Sequence, residues 1–412
     1  MMRNPSNLSR KVLAIVLAGG RGSRLKTLTE SRAKPAVPFG GKYRIIDFPM
    51  SNLENSGFRN IVVLPQYGSF ELMIHLQHVW NSDPAHDFFV YPLFPQHIRH
   101  TEYQDTADAV EQNMSIIGKI GDFRTLAILA GDHVYSMDFS QMLSYHYDIG
   151  SKFTVSVLEM PSDSVSGLGV LEVDANMRII GFQEKPKKDP KEIPGKPGYC
   201  LVSMGNYIAE REFLREIFQE MSGKIEHALD FGKDVIPYLI EKGVALFAYN
   251  FNDNVVSGAG GHYWRDVGTV DAYWQSHQDI ISINPPFNIH NTEAWPIRTG
   301  SDNLPGAKLI GINVPHDRAC LVGGKSILQR CMVEDSILGR RVEIYDGAEV
   351  SRSILFDGVV IGAGSRIENA IIDQETAVPP GTHIGVDRRA DGERGFHVSA
   401  SGIVIIPSGF RF

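Results

Sequence analysis

In the last third of the chain, aliphatic or aromatic residues recur six apart at Ile327 and Val333, then at Leu338, Ile344, Val350 and Phe356. They resume at Ile361 and Ile367, and again at Ile372, Val378 and Ile384, with a step of five between these runs. Glycine and small polar residues fill the gaps, among them Gly358, Gly362 and Gly364. An amphipathic helix repeats about every 3.6 residues and a half-buried strand about every two. A sustained step of six fits neither. It fits a parallel β-helix, in which one aliphatic residue per edge stacks over its counterpart in the next coil to build a continuous core. The competing arrangement is a meandering β domain, with an apolar period of about two. Residues 308–412 are accordingly expected to form a β-helix domain.

Upstream the pattern is different. From Val12 to about Ile283, short apolar strands alternate with helical stretches. Strands are expected over 12–18, 60–64, 125–130, 153–158, 178–183 and 244–249, and helices over 70–78, 106–117, 211–221, 233–241 and 270–283. Such alternation gives an α/β fold with a mostly parallel, Rossmann-like sheet covered on both faces. Sheets of this kind bind ligands beyond the carboxyl ends of their strands. The helical pattern stops at Asn284-Pro285-Pro286. The expected division is therefore a domain over 11–285, a linker over 286–307, and the β-helix. A length of 412 residues, more than one core usually supports, agrees with two domains.

Composition narrows the class. A net charge of -8 argues against a general nucleic-acid binder. The three cysteines, Cys200, Cys320 and Cys331, are odd in number and far apart, which fits a reducing compartment without disulfides or a CxxC metal site. No apolar run approaches transmembrane length. The stretch from Met1 to Arg10 is polar and short for a secretory signal. A cytoplasmic enzyme is the expectation.

The first expected strand ends in Leu17-Ala18-Gly19-Gly20-Arg21-Gly22-Ser23-Arg24-Leu25. Glycines let successive backbone N–H groups converge on a phosphate, and arginines add planar donors of fixed charge. No Gly-Lys-Ser/Thr follows, so this is not a Walker loop, and Leu25 stands where a dinucleotide fingerprint needs its third glycine. Ten residues on, Lys34 precedes Pro35, which stiffens the backbone and aims the lysine toward a bound triphosphate. Asp132 follows the strand over 125–130, where it can serve a hard cation such as Mg²⁺ or cap a helical turn. A second carboxylate, Asp266, lies in Tyr263-Trp264-Arg265-Asp266-Val267-Gly268-Thr269. His133 is expected to be a structural hydrogen-bonder, because no nucleophile pattern accompanies it. Glu184-Lys185-Pro186 closes the strand over 178–183 and offers a cation for a phosphate, while Phe231-Gly232-Lys233-Asp234 can simply cap a helix. Together these features suit phosphoryl or nucleotidyl transfer, which needs positioning and charge stabilisation more than acid–base groups.

With the motifs in order, the chain resembles the bacterial ADP-glucose pyrophosphorylases, or glucose-1-phosphate adenylyltransferases. The resemblance rests on residues 17–25, 32–37, 39–47, 106–110, 129–135, 184–186, 203–205, 230–234, 263–269 and 295–298, and covers nearly the whole length. Most specific is Gly40-Gly41-Lys42-Tyr43-Arg44-Ile45-Ile46-Asp47-Phe48 combined with the Tyr-Trp-Arg-Asp-Val-Gly-Thr stretch. It implies a nucleotidyltransferase sheet followed by a left-handed β-helix, and transfer of AMP from ATP to α-D-glucose 1-phosphate to form the glycogen precursor ADP-glucose.

By the family pattern, Arg24 and Lys34 hold the triphosphate, and Asp132 and Asp266 bind Mg²⁺. Leu17, Ala18, Gly19, Gly20 and Gln66 surround ATP. Tyr103, Gly169, Glu184, Lys185 and Ser203 form the glucose-1-phosphate pocket, and Arg44 takes part in binding an anionic effector. A homotetramer is implied. Four positions depart from the pattern. Asp105 replaces a glycine and Glu102 a tryptophan, adding carboxylates near the nucleotide. Ser31 and Pro38 replace a lysine and a histidine of the effector site, while Arg388, Arg389 and Arg394 are retained near the end of the chain. The alternatives are a non-catalytic regulatory subunit or a nucleotidyltransferase of other base or sugar preference. An acetyltransferase role for the β-helix is disfavoured, since only His383 and His397 lie in or beyond the repeats.

Overall fold

The protein was analysed as a computed structural model, which describes residues 8–95, 102–225, 227–258, 261–290, 293–300, 303–315 and 318–412. Residues 291, 292, 301 and 302 of the expected linker lie outside the described residues. The first half is built around β1 (Val12–Ala18), which is apolar throughout because both its faces are covered. Val12, Ala14 and Val16 enter one hydrophobic layer, Leu13 and Ile15 the opposite one. The chain continues through α1 (Asp47–Asn55), β2 (Asn60–Pro65), α2 (Ser69–Val79), β3 (Phe89–Pro92), α3 (Thr106–Ile120) and β4 (Thr125–Ala130). Strands β3, β2, β1 and β4 lie side by side and parallel.

After α4 (Phe139–Asp148) come β5 (Phe153–Pro161), β6 (Gly169–Val173), β7 (Ile179–Glu184) and β8 (Tyr199–Glu210). Strand β8 runs against β4, β5 and β6, and β7 runs against β6. Then follow α5 (Arg211–Met221), α6 (Ile236–Glu241), β9 (Phe247–Asn250), which extends the sheet parallel to β5, and α7 (Val270–Ile281). Two expected elements are shifted. The helix over 233–241 opens as a π turn, Phe231–Val235, and the strand over 244–249 begins only at Phe247. The delay arises because the Val244 N–H folds back to the Leu239 carbonyl at 3.0 Å.

The β-helix has three sheets, parallel except where His397–Val398 runs against the final strand Val404–Ile406. One core column runs Val333, Val350, Ile367, Ile384, another Ile344, Ile361, Val378, and a third Leu338, Leu355, Ile372. Two of the expected positions are corrected: Leu328 replaces Ile327 in the core, and Leu355 replaces Phe356. The step of five precedes Leu338, Leu355 and Ile372 alike, once in every coil. Phe356 is apolar for another reason. With Ile337, Ile354 and Ile371 it packs outward against α7 and Phe39, so the two halves share a core. Between the coils and the final strand Val404–Ile406 a short helix is inserted, α8 (Arg388–Glu393). Among the described residues no helix is long and apolar enough to cross a membrane.

Candidate functional site

The carboxyl end of β1 opens into Gly19-Gly20-Arg21-Gly22. Gly22 lies at φ +63°, and a Cβ there would stand 2.9 Å from the Lys34 Cβ, so the turn passes tightly over that lysine. Beyond β4, Gly131 donates its N–H to the Leu17 carbonyl at 2.9 Å, and a Cβ on it would stand 2.7 Å from that oxygen. The close approach sets Asp132 beside the glycine loop. Asp132 caps no helix. The next residues, Val134–Tyr135, instead pair antiparallel with Trp264–Arg265, Val134 opposite Arg265. This two-residue ladder carries Asp266 to Asp132.

Lys34 is buried between them. Its Nζ lies 2.9 Å from Asp132 Oδ2 and 2.7 Å from Asp266 Oδ1. Arg24 Nη2 is 3.7 Å from Asp266 Oδ2. Burial alone would push the Asp266 carboxyl up, but Lys34, His133 and Arg24 outweigh it and bring its pKa down to about 2. For Lys34, burial favours the neutral amine, yet Asp132 and Asp266 hold its pKa above the ordinary lysine value. His133, expected from sequence as a structural hydrogen-bonder, stands within this cluster. Its Nε2 lies 3.6 Å from Asp132 and 3.9 Å from Asp266, and its ring meets the Trp264 edge at 5.0 Å. One ligand atom from each of Asp132, His133 and Asp266 falls within 4.8 Å of the others. Two carboxylates and an imidazole so close together form a donor set that can hold a divalent cation.

Two clefts flank this cluster. The larger, about 460 Å³, is lined by Leu17, Gly19, Gly20, Arg21, Gln66 and Asp132 among others. Ala18 is buried in the layer beneath it. Gln66 clamps the Tyr103 backbone, donating to its carbonyl at 3.1 Å and accepting its N–H at 2.9 Å. Tyr103 therefore lies in this cleft and not with the other residues implied for the sugar phosphate. Its hydroxyl turns away, donating to the Leu93 carbonyl at 2.8 Å and accepting from Asn113 at 2.9 Å. Burial pushes its pKa up to about 12.

The smaller cleft, about 180 Å³, brings together Gly169, Glu184, Lys185 and Ser203, with His133 and Trp264 on its wall. Gly169 stands opposite Glu184 in the β6–β7 ladder. Lys185 is mostly exposed, its Nζ 2.7 Å from Glu184 Oε1. Thr106, Gly205 and Tyr207 line both clefts, so the two share a wall.

The carboxylates that depart from the family pattern are matched by cations. Asp105 caps α3 and pairs with Lys233 Nζ at 2.9 Å, and Glu102 lies 3.6 Å from Arg21. The cap of the Phe231 turn is Asp230, which accepts the N–H groups of Gly232 and Lys233 and leaves the Lys233 ammonium free to reach Asp105. Arg44 lies apart from both clefts. Its Nη1 donates to the Ala36 carbonyl at 2.7 Å and sits 3.8 Å from Glu71. The void beside it is about 10 Å³, room for about one water.

Comparison with known proteins finds two family matches along the chain. Residues 13–283 match the family described as nucleotidyl transferase, and residues 307–406 match the GlmU-like C-terminal hexapeptide family. A glucose-1-phosphate adenylyltransferase 1 of Vibrio vulnificus is 42% identical over 405 residues, 97% of this chain and 98% of the relative. The glucose-1-phosphate adenylyltransferase of Photobacterium profundum gives the same figures, and that of Deinococcus deserti is 41% identical over 98% of this chain and 99% of the relative.

Proposed function

The chain belongs to the glucose-1-phosphate adenylyltransferase family of nucleotidyl transferases, and from that premise we propose that it transfers AMP from ATP to α-D-glucose 1-phosphate, yielding ADP-glucose and pyrophosphate. The observation that supports this most is the cluster of buried Lys34 with half-buried Asp132 and Asp266 at the junction of two clefts with a common wall. The larger cleft takes ATP. The backbone of Leu17, Ala18, Gly19 and Gly20 cradles the polyphosphate, and Gln66 and the Tyr103 backbone border the nucleoside. Arg24 and Lys34 offset the triphosphate charge. In the smaller cleft Lys185 holds the phosphate of glucose 1-phosphate, Glu184 and Ser203 accept or donate to sugar hydroxyls, and Gly169 leaves room for the ring.

The nucleophile is a phosphate oxygen, already anionic near neutral pH because the second pKa of a phosphate monoester is about 6. No protein base is required. The new O–P bond forms at the α-phosphorus as the bond to pyrophosphate breaks. Negative charge accumulates on the departing group, where Arg24 and Lys34 are already in place. Asp132 and Asp266 would hold Mg²⁺, which when bound supplies further neutralisation of the polyphosphate. The proposal extends to a homotetramer in the cytoplasm answering to an anionic metabolite at Arg44.

The test is pyrophosphate release by the purified chain. It is expected with ATP and glucose 1-phosphate together and with neither alone. Release with UTP or GTP in place of ATP would overturn the base assignment, and no release with any nucleotide would overturn the reading.

A further inference from the structure

Arg32 is the one arginine of the first half whose side chain is almost wholly enclosed among the described residues, at 1% exposure. Its Nη1 lies 2.9 Å from Asp373 Oδ1, on a coil of the β-helix, and its Nε lies 3.3 Å from Glu71 Oε2 on α2. Asp373 is itself 2% exposed. This is an ion pair between the two halves of the molecule, removed from solvent at both ends. A buried pair of this kind adds little net stability, because desolvation offsets the attraction. Its geometry is nonetheless exacting: Asp373 without Arg32 would be an uncompensated charge, while Arg32 without Asp373 would keep only Glu71, which Arg44 also faces at 3.8 Å.

The pair also lies two residues from Lys34 in the chain. The intervening backbone is held at several points. Ala33 donates to the Gly68 carbonyl at 3.0 Å, Ile46 donates to the Pro35 carbonyl at 2.9 Å, and Arg44 reaches the Ala36 carbonyl. A Cβ on Gly68 would stand 2.8 Å from the Arg32 carbonyl carbon, so the start of α2 presses directly on this segment. All these holds come from the first half. Asp373 supplies one from the β-helix.

We propose that the Arg32–Asp373 pair is a positioning contact through which the β-helix keeps Lys34 centred on Asp132 and Asp266. The inference rests on the role given to Lys34 above. Arg32 and Asp373 touch no substrate and act through the lysine. With Asp373 in place, the guanidinium is shared between two carboxylates from different elements, and the Arg32–Lys34 backbone is fixed between them. Without it, the guanidinium is drawn toward Glu71 alone, and Lys34 shifts with the segment. Glu71 still lies 3.3 Å from the guanidinium, and the isosteric Asp373→Asn variant is expected to fold, with thermal unfolding and circular dichroism like those of the wild-type chain.

The test uses the full chain. Asp373→Asn is expected to lower kcat about tenfold while both KM values stay within about twofold, the pattern of a displaced group acting on the chemical step. Amide exchange in the peptide spanning residues 31–37 is expected to rise. Added to Lys34→Ala, the substitution is expected to cost nothing further, because the group it positions is gone. Arg32→Lys, which keeps the charge but loses the planar fork, should lie between wild type and Asp373→Asn. A wild-type kcat in Asp373→Asn, unchanged exchange over 31–37, or a full tenfold loss on top of Lys34→Ala would each overturn the proposal. A wild-type chain that transfers no AMP would instead overturn the function. The exchange measurement would then still judge the contact by itself.

Discussion

The β-helix and the nucleotidyltransferase sheet bury their cores by opposite rules. In the β-helix Val333, Val350, Ile367 and Ile384 form one column, and each coil restates the one before it. In the sheet nothing repeats, and the contact that makes the site joins Lys34 to Asp266, 232 positions apart. Repetition yields a stiff, predictable scaffold whose interior is aliphatic and chemically inert. Irregularity yields short turns after parallel strands, where charges from distant segments converge. The two rules meet at α7, Phe356 and the Arg32–Asp373 pair, where a column-forming domain presses on a charge-bearing one.

That contrast can be broken or sharpened by substitution. The largest effect is expected at Asp266. Asp266→Asn removes a carboxylate that Lys34 and Arg24 hold ionised, and kcat/KM should fall about a thousandfold with the fold unchanged by circular dichroism. Ile361, fully buried in the β-helix column, should behave oppositely. Ile361→Ala is expected to destabilise by about 3 kcal/mol, measured as a lower urea midpoint, with kcat intact. An equal loss of activity there would mean that the scaffold is not inert.

Next come the buried histidines. His277 sits at the junction of the halves, its Nε2 accepting from the Gly40 N–H at 3.2 Å and its Nδ1 2.9 Å from the Tyr273 carbonyl. Burial lowers its pKa from 6.5 to about 4, as it does for His146 within the sheet domain. The folded state therefore binds fewer protons than the unfolded one below pH 6.5. Stability is complete above that value and is lost as pH falls toward 4, by about 3 kcal/mol for each histidine. Asp266 behaves differently: its contribution is present above pH 3.8 and is lost only as pH falls through about 2. His277→Gln should remove its share of the loss in thermal unfolding followed from neutral pH to about pH 4.5. The smallest effect is expected at Lys185, which is exposed. Lys185→Ala should raise KM for glucose 1-phosphate about tenfold and leave KM for ATP unchanged in steady-state kinetics.

Legibility in the sequence followed the same contrast. A period of six, broken by five, announced the β-helix, yet it selected Phe356 over Leu355. Both are apolar, one for the coil interior and one for the interface, and spacing alone does not separate them. In the sheet, β1 and β4 were plain from their aliphatic runs, and so was the glycine loop between strand and helix. The meeting of Asp132 with Asp266 was not. It depends on a ladder of two residues in each strand, too short to leave a periodic trace. His133 stands next to Asp132 in the chain, and that adjacency was the only sign of its place in the cluster. The direction of the Tyr103 hydroxyl depends on Leu93 and Asn113, which no motif connects to it.

The proposed AMP transfer depends on one group of charges in which Lys34 is buried between Asp132 and Asp266. Its most direct measurement is the turnover of Asp132→Ala beside the wild-type chain, at saturating ATP and glucose 1-phosphate and with thermal unfolding recorded for both. A fall in turnover of at least about a thousandfold, at an unfolding temperature within a few degrees of wild type, is the predicted result. A well-folded Asp132→Ala that still turns over within about tenfold of wild type would contradict it.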